Sequence, residues 1–127
     1  MNTTAKLFLS IGSISGALAV IIGAFGAHGL KDKICEEMLV IYRTGVEYHF
    51  YHTFALLGIG LLALHYESKL LIASGGSMAI GILLFSGSLY ALSISGIKVL
   101  GAITPIGGLF FIIGWVLLTV AVLKSAA

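Results

Sequence analysis

The chain has 127 residues, 59% of them hydrophobic and 9% charged, with a formal net charge of +2. Ordinary soluble domains carry roughly 25% charged residues, so this composition excludes a water-soluble globular domain. The small, scattered charge also excludes a nucleic-acid-binding surface.

A hydrocarbon core about 30 Å thick needs roughly 20 apolar residues of helix to cross it. Four such stretches are predicted, at about 7–27, 46–66, 70–94 and 99–123. The expected fold is all-α: an integral-membrane four-helix bundle forming a single transmembrane domain over residues 1–127. A short amphipathic helix at about 31–45 is expected to lie in the membrane interface between spans one and two.

The first span follows Lys6 and is longer than a secretory h-region, so it is read as a retained helix. Gly12 and Gly16 form a G-x-x-x-G step continued by Gly23 and Ala27. Such small-residue stripes let helix backbones approach closely in lipid. The motif is weakly specific, and it leaves open whether the stripe packs within the chain or between two chains.

In segment 31–45, Ile34, Met38, Ile41 and Tyr42 recur at helical spacing between Asp32, Lys33, Glu36, Glu37 and Arg43. That pattern predicts a helix lying on the membrane surface, with Gly45 as a flexible joint into the second span. Cys35, the single cysteine, is expected to be a free thiol.

The second span concentrates ionisable groups, which are costly inside a membrane and usually face the bundle interior or a cavity. It carries Glu47, His49 and His52, with Tyr48 and Tyr51 between them. His28 ends the first span, which an antiparallel pairing places beside the start of the second. His28, Glu47 and His52, with Tyr48, are therefore the candidate polar intramembrane site. Two imidazoles and a carboxylate suit a divalent metal or a proton relay. The competing role for the same groups is structural hydrogen bonding between helices. His65 is expected to be an interfacial anchor.

The last two spans contain interruptions. Phe85-Ser86-Gly87-Ser88-Leu89-Tyr90 places a glycine and two hydroxyls past mid-span. Thr104-Pro105-Ile106-Gly107-Gly108 joins the only proline to two glycines. Gly87, Pro105, Gly107 and Gly108 are the predicted kink and packing positions. Basic residues give little topological bias, since Lys6, Lys69 and Lys124 on one side face Lys31, Lys33, Arg43 and Lys98 on the other. Both termini are assigned to the cytoplasm because Lys6 and Lys124 abut their spans.

Gly-Ala-Phe-Gly-Ala-His (23–28), Thr-Gly-Val-Glu-Tyr with His52 (44–52), Phe-Ser-Gly-Ser-Leu-Tyr (85–90) and Thr-Pro-Ile-Gly-Gly with Gly114-Trp115 (104–115) occur in one order. With these motifs the chain resembles the YgdD/YwdK-like small inner-membrane proteins, a family of unknown function. The resemblance covers nearly the whole chain and implies a multi-pass protein of the bacterial plasma membrane with four spans. It implies no activity, substrate or cofactor. His49 lies outside those motifs, which leaves His28, Glu47 and His52.

No enzyme activity and no cofactor are expected, because no nucleophile–base pair is evident. The expected function is a non-enzymatic packing or accessory bundle in the lipid bilayer, one that oligomerises or assists another membrane protein. The alternative is a small oligomeric transporter or channel-like protein with a protonatable or cation site at His28, Glu47 and His52.

Overall fold

The computed structural model describes residues 1–125, which form four long helices and no strand. These are α1, Thr3–His28; α2, Glu36–Ala63; α3, Lys69–Ser95; and α4, Thr104–Lys124. Among the described residues, three segments are long and apolar enough to cross a membrane: Thr3–His28, Lys69–Ser95 and Lys98–Lys124. At 28 residues α2 is no shorter, but Glu36, Glu37, Arg43, Glu47 and His49 make its first half more polar.

The helix ends follow from local chemistry. Asn2 caps α1 by accepting from the Ala5 N–H at 2.8 Å, while its amide donates to Ala63 O at 2.7 Å. That second bond joins the start of α1 to the end of α2 and fixes them antiparallel. Glu36 and Glu37 occupy the first turn of α2, where negative charge suits the helix dipole. Gly96, at φ 73°, ends α3 in the left-handed conformation that glycine adopts without strain.

Three sequence expectations are corrected here. The amphipathic helix at 31–45 is not a separate element: residues 29–34 turn, and helix then runs unbroken from Glu36 to Ala63. Gly45 is not a joint but a packing site, since a Cβ there would lie 2.8 Å from the Tyr90 ring. Pro105 does not kink a span. It sits in the first turn of α4, where its missing N–H has no intrahelical partner to lose. The irregularity in α3 precedes Gly87, as one wide π-type turn over Ile82–Ser86.

The interior mixes an apolar core, including Phe8, Leu56, Ile59, Leu71 and Met78, with buried polar groups, and the outer surface is apolar. Ser15, His49, His52, Thr53, Ser74, Ser86 and Ser93 are buried, while Ile14, Leu83, Ile112 and Leu123 are exposed. Buried hydroxyls and imidazoles under an apolar exterior suit a lipid solvent, in which helices associate through close approach and hydrogen bonds rather than through the hydrophobic effect. The α1 stripe is used within the chain: a Cβ on Gly12 would lie 2.8 Å from Leu57, and one on Gly16 3.4 Å from Thr53. Helices α3 and α4 are fastened by Ser74 Oγ donating to Gly114 O at 2.7 Å and Ser77 Oγ to Phe110 O at 2.6 Å. At Gly107 the backbones come so close that a Cβ would collide with the backbone of Phe85.

Candidate intramembrane site

The structure separates His28, Glu47 and His52, which the sequence grouped, and keeps only Tyr48 beside His52. His28 ends α1 exposed. Glu47 is also exposed and lines a cleft of about 420 Å³ with Lys31 and Arg43, floored by Gly23 and Gly26. Tyr48 is half-exposed and packs on Phe85, with ring centroids 4.5 Å apart. His52 is buried on another side of α2, because five residues turn an α-helix by about 140°. Among the described residues, no group of three or more His, Cys, Asp or Glu side chains is placed to hold a metal ion.

His52 faces α4. Its ring lies flat on Phe111, with centroids 3.5 Å apart and planes 7° from parallel. The indole N–H of Trp115 donates to His52 Nε2 at 3.1 Å, and His52 Nδ1 lies 2.7 Å from Tyr48 O. A carbonyl only accepts and an indole N–H only donates. The two partners therefore dictate the neutral Nδ1–H tautomer. His52 ties α2 to α4 with both nitrogens engaged.

His49, one turn earlier, faces α1 and α3. Its Nδ1 lies 2.9 Å from the Tyr90 hydroxyl and its Nε2 3.0 Å from Ser15 Oγ; Ser15 Oγ in turn lies 2.7 Å from Thr53 Oγ1. The chain Tyr90–His49–Ser15–Thr53 thus links three helices. Every partner of His49 is a hydroxyl able to donate or accept, so neither tautomer is imposed.

Beside this chain a cleft of about 380 Å³ opens between α1, α2 and α3. Its surface is almost wholly apolar: Ser15, His49 and Tyr90 are among the lining residues, and exposed Ile14, Leu18 and Leu83 rim its mouth. The π-type turn contributes Ile82 and Leu83 to the lining. Turns of this kind occur frequently at functional sites.

Residues 22–108 match the family described as "Protein of unknown function (DUF423)". Over 94% of its length the chain is 48% identical to "UPF0382 membrane protein YwdK" of Bacillus subtilis, covering 98% of that protein. It is 45% identical to a UPF0382 membrane protein of Staphylococcus epidermidis, covering 95% of this chain and 98% of the relative. A UPF0382 membrane protein of Haemophilus influenzae is also 45% identical, over 93% of this chain and 94% of the relative. The chain belongs to the DUF423 family. No solved structure matches it.

This DUF423 protein is a multi-pass bacterial membrane protein of a family whose function is unknown. The matched DUF423 segment contains His49, His52 and Tyr90, whereas Ser15 and Trp115 lie outside it. Sequence reasoning set His49 aside and did not identify Ser15, Thr53, Phe111 or Trp115 as its neighbours or those of His52. The available signal was the His49–His52 pair at i, i+3. It marks two adjacent polar positions on a helix but does not name the helices they face.

Proposed function

We propose that this DUF423 protein is a four-span, non-enzymatic membrane bundle that stabilises another membrane component or associates with itself. Helix α2 serves as the fourth span and the hub, with both termini on one side of the membrane, assigned to the cytoplasm. The observation that carries this proposal is the use of the buried polar groups. Both nitrogens of His49 and of His52 engage other side chains or backbone, with other helices supplying Tyr90, Ser15 and Trp115. Ser74, Ser77 and Ser86 each donate to a carbonyl of a neighbouring helix. Groups held in this way fasten helices, and the exposed apolar faces of α1 and α4 remain available for lateral contact.

The test is photo-crosslinking in native membranes from a reactive residue at Ile21 on α1 or Ile112 on α4, both exposed. A discrete adduct with a second copy or with one membrane protein is expected. A chain that remains strictly solitary at native expression overturns the accessory role.

A further inference from the structure

We propose that the cleft at the α1–α2 turn binds the phosphodiester of an anionic phospholipid. This goes beyond the accessory role and rests only on its placement of α1 and α2 across the bilayer. Two helix faces and a turn build the cleft, whose volume is about 420 Å³. Leu39, Arg43 and Glu47 recur every fourth residue on α2 and so share one stripe. Opposite them Gly23, Gly26 and Ala27 of α1 carry side chains too small to fill the space. Below that floor Tyr42 locks the two helices together. Its hydroxyl donates to Ile22 O at 2.5 Å, and its ring occupies the place a Gly26 side chain would need. Lys31 is held at the outer end because Leu30 before it is buried in a cluster with Leu39 and Tyr42, and the Leu30 N–H donates to Phe25 O at 3.2 Å. Two cations from separate, anchored elements thus line one opening.

Charge and depth select the ligand. Lys31 and Arg43 against Glu47 leave the lining with a single net positive charge, and a phosphodiester carries a single negative one. The guanidinium of Arg43 has five N–H donors, enough to serve Glu47 one turn deeper and a phosphate oxygen above, while Lys31 adds a point charge. A Cβ on Gly16 would lie 3.4 Å from Thr53 and one on Gly23 3.4 Å from Val46, so the helices run antiparallel in register. Gly16 and Thr53 mark the middle of Thr3–His28. Arg43 precedes Thr53 by ten residues, which is about 15 Å along the axis. The hydrocarbon also ends about 15 Å from its centre, so Arg43 reaches the level where headgroup phosphates begin and Lys31 lies beyond it. Basic pockets between membrane helices hold lipid headgroups in this way. The apolar share of the lining, from Ala27, Leu39 and Val46, suits the glycerol and first acyl carbons of a lipid and offers nothing to a free phosphate ion.

Binding is read by native mass spectrometry of the full chain released from nanodiscs of phosphatidylglycerol and phosphatidylcholine in equal amounts. One retained phosphatidylglycerol per chain is expected, favoured about tenfold over phosphatidylcholine, whose choline cation cancels the phosphate charge. Lys31→Gln and Arg43→Gln, both at exposed positions, are each expected to weaken retention about tenfold, as loss of one charged hydrogen bond does. Lys98→Gln is the control. It removes an exposed charge at the same end of the protein but outside the cleft, and should leave the adduct unchanged. Ala27→Leu, also at an exposed position, fills the cleft while keeping every charge, and is expected to abolish the adduct. Absence of a phosphatidylglycerol preference, equal losses in Lys98→Gln and Arg43→Gln, an unchanged adduct in Ala27→Leu, or displacement of the lipid by millimolar inorganic phosphate each overturns the site. Crosslinking to a membrane partner is a separate readout, so the accessory role and this site fail independently.

Discussion

The two sides of α2 hold their histidines in opposite ways. Toward α4, His52 meets one partner that only donates and one that only accepts, and its ring is stacked on Phe111. Toward α1 and α3, His49 meets hydroxyls alone, beside an open cleft. The first side has one hydrogen-bond arrangement and the second has more than one. Within a single small protein, the direction of donation distinguishes a fixed fastening from an adjustable polar chain.

Substitutions that ignore this difference should reveal it through their unequal costs. Gly107→Leu should be the most damaging, because the α3 backbone at Phe85 already occupies the space a side chain needs. Overpacking of this kind costs about 3 kcal/mol, measured as loss of helicity during detergent titration. His52→Ala should cost about 2 kcal/mol by removing a buried ring and its tie to Trp115, and tryptophan emission should change with it. Ser15→Ala, on the adjustable side, should cost about 1.2 kcal/mol, since it removes two hydrogen bonds between helices, each about 0.6 kcal/mol on average in membranes. Gly87→Leu should stay within about 0.5 kcal/mol of wild type in the same titration, because its Cβ meets open space. Equal losses at Gly107 and Gly87 would break the distinction between a closed side and an open one.

Apolar runs were enough to indicate the helices, since twenty or so apolar residues in lipid have few other ways to satisfy their backbone. Misreadings came where one residue type has two positional meanings. Pro105 breaks a helix interior but starts a helix well, and composition does not say which turn it occupies. Gly45 looks like a hinge in sequence, yet in the fold it makes room for Tyr90 and accepts from Ser86 Oγ through its carbonyl. The candidate site was less legible still. His28, Glu47 and His52 were grouped by nearness along an antiparallel pair, but helix rotation sends His52 toward α4. The partners of His49 come from positions 34 residues earlier and 41 later. No local pattern encodes that meeting.

The most direct test of this difference is a ¹⁵N spectrum of histidine-labelled protein in nanodiscs, with His49 and His52 assigned by substitution. His52 is expected to give a single neutral Nδ1–H signal, while His49 divides between its Nδ1–H and Nε2–H forms. A protonated or Nε2–H His52, or a His49 held in one tautomer like His52, would contradict the account.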